Sequence, residues 1–168
     1  MSLDDELLFL AREREGVSEA NLANMWLDHP SKLRLQLRSD LARQVDLGRL
    51  KHSDDRVVNL NSLANGCQEL VCPAIEFQSD SMLNFKIELE VLQKGWLVRR
   101  FQFHLQLSGR SIQMVRIHLN HKIGHDPLRI PRCHFHIGDS KAHIPFPIMS
   151  PRLMVNLICE HIEPDLGM

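Results

Sequence analysis

The chain has 168 residues and a net charge of −1, and its hydrophobic share of 43% is enough to build the core of about one domain. This balance excludes a strongly basic, dedicated nucleic-acid binder. The acidic N-terminal stretch is unlike a signal peptide and no window approaches about 18 apolar residues, so we expect a cytoplasmic protein with reduced cysteines and no membrane partner.

The N-terminal part of the chain predicts helices. Capping and stop residues bound a first helix over 3–15 and a second over 18–29. Ser31 is the predicted N-cap of a third helix over 32–47, in which residues at i,i+4 spacing form an apolar stripe. We expect residues 1–50 to form a helical extension that could dock a protein partner.

The period changes near residue 56 to the alternation of β-strands. Apolar and polar residues alternate over several segments joined by turns, and Pro73 marks one segment as an edge strand or as two pieces. The predicted strands are 57–60, 69–77, 84–92, 96–107, 112–120, 132–138 and a short edge strand at 141–145.

One helix is predicted at the C-terminal end. Ser150 followed by Pro151 is a favourable start, and Leu153 and His161 are placed on its inner stripe. The fold class is therefore α+β, with N-terminal helices, an antiparallel β-meander and one C-terminal helix, the sheet domain covering residues 51–168.

Histidine is concentrated on the last strands of this sheet. Because neighbouring strand residues point to opposite faces, His134 and His136 share the face opposite Cys133. His118 and Arg116 alternate in the same way on the preceding strand, so His118 should lie about one strand spacing away, roughly 5 Å. The predicted open, solvated surface comprises His104, Arg116, His118, His134 and His136.

Two kinds of chemistry fit this surface. In metal-independent cleavage of RNA, the candidate catalytic residues supply a base, an acid and a cation for phosphate; they are His134, His136, His118 and Arg116. That chemistry needs no cofactor. Alternatively, His134 and His136 with His143 or His118 as a third ligand would hold zinc with an open coordination position. A solvated sheet face that happens to be rich in histidine stays open as well.

Six residues of the C-terminal half also follow a known pattern: a strand, a turn, a strand beginning with Arg, a His/Pro-rich loop, then H-x-H-[VI]-G before a helix. They are Arg116, Asn120, His121, His134, His136 and Gly138. Through them, residues 96–162 resemble small bacterial proteins that include TumE-like toxins of toxin–antitoxin pairs. The chain departs from that pattern at His118, since such proteins tend to carry Asp before Asn. The resemblance implies a cytoplasmic bacterial protein, encoded with an antitoxin, that acts on RNA or translation.

The sequence thus predicts a toxin-like or defence-associated protein that acts on or binds RNA through its His/Arg-rich sheet face. Its activity, if enzymatic, would be that of a metal-independent ribonuclease. Two alternatives stay open: a non-enzymatic interaction module whose N-terminal helices dock a partner, and a metal-dependent enzyme that uses the H-x-H strand.

Overall fold

A computed structural model describes residues 25–52, 57–93, 95–120 and 133–165 of the chain. The strands in this part are β1 Trp26–Leu27, β2 Asn59–Ser62, β3 Gln68–Glu76, β4 Met82–Leu92, β5 Gly95–Gln106, β6 Met114–Leu119, β7 Cys133–Ile137 and β8 Ile144–Pro145. The helices are α1 Pro30–Asp46 and α2 Pro151–Leu157, which continues through a π-helical turn, Ile158–Ile162, into α3 Glu163–Asp165; a 3-10 turn spans Ala64–Gly66.

The described strands form one antiparallel sheet in the order β2-β3-β4-β5-β6-β7-β8, which confirms the predicted meander and the α+β class. β1 pairs with the first residues of β5, which extend past β6. Gly95 makes this pairing possible, because its φ is 130° and a Cβ there would lie 2.9 Å from the carbonyl oxygen of Leu27.

The predicted N-terminal helices are only partly tested. The helix over 3–15 lies outside the described residues, as does most of 18–29, but Trp26–Leu27 is a strand rather than the end of a helix. α1 begins two residues before the predicted 32, because His29 and not Ser31 is its N-cap. The Nδ1 atom of His29 accepts a hydrogen bond from the backbone N–H of Ser31 at 3.2 Å.

α1 packs into the same core as the sheet. Its leucine stripe is fully buried, as the i,i+4 spacing predicts; the residues are Leu33, Leu37 and Leu41. Asp40 of α1 is 6% exposed and accepts two hydrogen bonds from Arg152 of α2, at 2.7 and 2.9 Å. Such a bidentate pair fixes the two helices side by side.

Pro73 lies inside one continuous strand, β3. The register between β3 and β4 shifts between Cys72 and Ile75, and β2 pairs only with the part of β3 that precedes the proline. The missing N–H of Pro73 is therefore not required by a neighbouring strand, which explains how an internal proline is tolerated.

The C-terminal helix begins as predicted, with the Ser150 hydroxyl accepting a hydrogen bond from the N–H of Leu153 at 3.3 Å. The predicted inner stripe is wrong at two positions, since Leu153 is 44% exposed and His161 is exposed. The buried stripe instead consists of Met154, Val155, Ile158 and Cys159. The π-helical turn adds a residue to the helix and rotates His161 away from the core.

The two faces of the sheet differ in character. One face packs against the helices and carries the apolar residues of β4 to β7, including Phe85, Phe101, Phe103 and Ile117. The opposite face carries the polar residues that alternate with them. Within the described residues, no helix is long and apolar enough to cross a membrane.

Candidate metal centre

The predicted outward histidines lie side by side on the polar face. In the antiparallel register, His118 of β6 is opposite His134 of β7, and Arg116 is opposite His136. His104 of β5 is opposite Arg116 on its other side. The four histidines of this face and one further histidine form what we call the histidine cluster. Its members are His104, His118, His134, His136 and His143.

His143 joins the cluster through a reversal of the chain after β7. Gly138, with a φ of 57°, allows the turn, and its N–H donates to the carbonyl of Met114 at 2.7 Å. The returning segment pairs with β7 as β8. This path places the His143 ring 4.6 Å from the ring centroids of both His134 and His136.

The cluster is not the open surface that alternation alone predicts. His134 and His136 are only 2% and 8% exposed, although they occupy the predicted face. One physical reason is that the ring of His143, which precedes β8, packs against the rings of His134 and His136 on that face. His104, Arg116 and His118 are partly buried.

The ring nitrogens of three members converge. His118, His134 and His136 each offer one nitrogen, and these atoms lie within 4.8 Å of one another. Their ring centroids are 5.0 to 5.6 Å apart. Nitrogens bound to one tetrahedral zinc lie about 3.3 Å apart, given bond lengths of about 2.0–2.1 Å. Small rotations of the rings would therefore close this set around one ion.

His104 contacts this set through a hydrogen bond. The Nε2 atoms of His104 and His118 are 3.1 Å apart, so one imidazole donates and the other accepts. A metal-binding histidine commonly uses its other ring nitrogen for a bond that fixes the orientation of the ring. His104 is placed to orient His118 in this way.

Burial favours the neutral form of three imidazoles of the cluster, those of His104, His118 and His136. It lowers the pKa of His118 to about 3, helped by the neighbouring His104, His134, His136 and Arg116. It also lowers the pKa of His104, with a further contribution from Arg116.

The pKa of His136 is lowered for similar reasons: burial first, then His143 and Arg116, while backbone groups of Ser140 and Ala142 act in the opposite direction. A neutral imidazole binds metals, whereas a positively charged one does not. Burial thus favours the neutral form that a metal ligand needs at His118 and His136.

Two polar atoms at the cluster lack partners. The Nδ1 atom of His136 and the Nε atom of Arg116 are buried and have no hydrogen-bond partner within the described residues. The Nη2 atom of Arg116 donates to the carbonyl of Gly138 at 3.2 Å. An unpartnered buried polar group is unfavourable, so both atoms are available to a ligand bound at the cluster.

The cysteines offer no alternative site in the described part of the chain. Cys133 is fully buried on the apolar face, as its alternation with His134 predicts. Burial raises the pKa of the Cys72 and Cys159 thiols to about 12, so neither is a thiolate at neutral pH.

A cavity lies on the apolar side of the sheet, the face opposite the histidine cluster. It has a volume of about 390 Å³. It is lined by Val115, Ile117, Phe135, Ile137, Phe146, His161 and Ile162. Two of these residues, His161 and Ile162, belong to the π-helical turn, and His161 is the titratable side chain among them.

No known protein family, curated protein or solved structure matches the chain. The resemblance to TumE-like toxins therefore stays a prediction.

Acid should destabilise the metal-free protein because of His118. Its pKa is about 3 in the fold against an ordinary value of 6.5, so between these two pH values the unfolded chain binds a proton that the folded chain does not. The stabilisation is present above pH 6.5 and is lost as the pH falls towards 3. The measurement is the free energy of unfolding in urea at a series of pH values.

His118→Gln should flatten this pH dependence, whatever its effect on stability at pH 7. His52→Gln removes a histidine at an exposed position and should leave the slope as it is in the wild type. Equal slopes in the wild type and His118→Gln would show that His118 is not the group responsible.

Proposed function

We propose that this protein binds a zinc ion through His118, His134 and His136 and uses it in hydrolysis. The observation that supports this most directly is the convergence of three ring nitrogens within 4.8 Å, two of them on side chains that are at most 8% exposed. Imidazole suits zinc and other first-row divalent ions, and three protein ligands are typical of a catalytic zinc site.

The chain's own residues supply the setting for that chemistry. β6 and β7 fix the three imidazoles on adjacent strands, and His143 packs over two of them and limits the access of water. A zinc ion with three protein ligands keeps a position for water and lowers the pKa of that water to about 7. Hydrolysis at neutral pH is the reaction class that follows from such a site.

A metal-independent ribonuclease is less well supported. It would need one neutral and one positively charged imidazole near neutral pH. The lowered pKa values of His104, His118 and His136 work against the charged form. RNA as the substrate and a toxin-like role are compatible with a zinc hydrolase and stay predictions.

The interaction-module alternative depends on residues that the structure leaves mostly undescribed. Of the predicted N-terminal helices, only the third, now α1, lies in the described part, and its leucine stripe packs inside the protein. A partner such as an antitoxin would thus have to use residues before β1 or the exposed side of α1. No observation favours this function over the metal site.

Zinc content tests the proposal. Protein stripped with a chelator, incubated with zinc and desalted should retain about one zinc per chain by mass spectrometry of the elements. Titration with a coloured zinc indicator then gives the dissociation constant. Protein that folds normally but retains no zinc above the level of a desalted control protein would contradict the proposal.

His104→Ala should weaken zinc binding without removing it. His104 is bonded to His118 at 3.1 Å and orients it, and loss of such a partner typically lowers metal affinity about 10–100-fold. The indicator titration measures this change. Gln106→Ala, at the next outward position of β5 and opposite Met114 rather than a histidine, is the matched control and should keep wild-type affinity. Unchanged affinity in His104→Ala would show that His104 has no orienting role.

A further inference from the structure

A basic side chain, Arg116, lies within the cluster. In the sheet register Arg116 of β6 is opposite His104 of β5 on one side and His136 of β7 on the other. Neutral imidazole ligands would leave the two positive charges of zinc uncompensated, and Arg116 adds a third. Such an excess of positive charge attracts an anion.

Arg116 differs from the other basic residues of the described strands in having no carboxylate partner there. Lys86 pairs with Glu69 at 2.7 Å, Arg100 with Glu88 at 3.6 Å, and Arg99 with Glu90 at 3.7 Å. Arg116 instead donates to a backbone carbonyl, and its Nε atom, like that of Arg99, is buried without a partner in the described residues. A partly buried guanidinium that lacks a carboxylate partner suits an anionic ligand.

We propose that the bound metal and Arg116 together hold the phosphate group of a phosphate-ester substrate; this inference rests on the zinc site proposed above. Phosphate fits because it carries several acceptor oxygens, enough to meet a metal and a guanidinium at once. A phosphomonoester can carry two negative charges and would compensate more of the positive charge than a carboxylate, which carries one. Phosphate esters are a substrate class for metal-assisted hydrolysis, in which the metal stabilises charge on the phosphoryl oxygens.

Calorimetric titration with inorganic phosphate tests the inference on zinc-loaded, desalted protein. Arg116→Ala should weaken phosphate binding about 10–100-fold, the effect of losing a hydrogen bond to a charged group. Arg116→Lys keeps the positive charge but loses the planar guanidinium with its forked donors. Its phosphate affinity should therefore lie between those of the wild type and Arg116→Ala. Arg100→Ala is the matched control, because Arg100 lies on the same face of β5 but pairs with Glu88, and it should change binding less than about twofold.

Zinc content is measured on the same samples, which separates the two proposals. Stoichiometric zinc with equal phosphate affinity in the wild type, Arg116→Ala and Arg116→Lys would overturn the phosphate site and leave the zinc site standing. Loss of zinc from both Arg116 variants would show that Arg116 supports the metal ligands rather than the substrate, and would also overturn it. Absence of zinc from the wild type would overturn both proposals.

Competition identifies the chemistry of the ligand. Methyl phosphate represents a phosphomonoester and dimethyl phosphate a phosphodiester such as the RNA backbone. Displacement of inorganic phosphate by either ester supports the inference and assigns the ester type. Displacement by neither ester, or equally tight binding of acetate, would overturn it in favour of a general anion site.

Discussion

Replacing His136 with alanine should abolish zinc binding at micromolar protein concentration while the protein stays folded. His136 is 8% exposed, contributes one of the three convergent nitrogens and packs against His118, His134 and His143. Loss of a direct ligand should exceed the roughly 10–100-fold effect of losing an orienting residue, so we expect more than about 100-fold weaker binding. His134→Ala and His118→Ala should behave in the same way.

Two controls separate loss of the ligand from loss of the fold. Cys133→Ala removes a metal-binding residue type from the same strand, but its side chain lies on the apolar face, so zinc binding should persist while stability falls. His161→Ala removes an exposed histidine outside the cluster and should change neither property. The measurements are zinc titration and circular dichroism. A folded His136→Ala variant with wild-type zinc affinity would show that His136 is not a ligand.

Zinc should stabilise the wild-type protein against heat and urea. An ion that binds only the folded chain raises the free energy of unfolding by about 2.7 kcal/mol when its free concentration is 100 times the dissociation constant. For a chain of this length, that corresponds to a rise in Tm of about 5–11 °C. Differential scanning calorimetry at several zinc concentrations measures the shift.

Two controls accompany the calorimetry: a different metal ion, and a variant that lacks one of the proposed ligands. Magnesium prefers oxygen ligands in octahedral geometry, so it should not raise the Tm. In His136→Ala, zinc should not raise the Tm either. Equal shifts with zinc in the wild type and in His136→Ala would mean that zinc stabilises the protein from another site.

Alternation along the strands predicts which side chains share a face, and this held for the whole site. Cys133 is on the apolar face and His134 on the other, as a period of two requires. The order of the strands in the sequence also predicts that β5, β6 and β7 are neighbours, and the sheet order agrees. The register that sets His118 opposite His134 comes from the structure, because residues 120–132 separate β6 from β7 and no short turn fixes it.

Burial of the site could not be predicted in the same way. Whether His134 is solvated depends in part on how the chain returns after Gly138, and no local pattern fixes the position of His143 over β7. The pKa values of the cluster follow from that packing, so the sequence leaves acid–base chemistry and metal binding equally open. Gly138, the second residue after His136, is a local signal of a sharp reversal there.

Other differences have equally local causes. The N-cap of α1 is His29 rather than the predicted Ser31, because an imidazole nitrogen can accept the same kind of hydrogen bond as a serine hydroxyl. Trp26–Leu27 forms a strand because it pairs with the first residues of β5, which β6 does not reach. Tertiary pairing of this kind overrides helix propensity, and a sequence window does not contain the partner.

X-ray absorption at the zinc edge of the reconstituted protein tests the central claim most directly. The account predicts a tetrahedral zinc with three imidazole nitrogens at about 2.0–2.1 Å, a further light atom from water or phosphate, and no sulfur. The His136→Ala variant, forced to bind at high zinc, should show fewer imidazoles. A spectrum with sulfur at about 2.3 Å, or with fewer than three imidazoles in the wild type, would contradict the assignment of His118, His134 and His136 as the ligands.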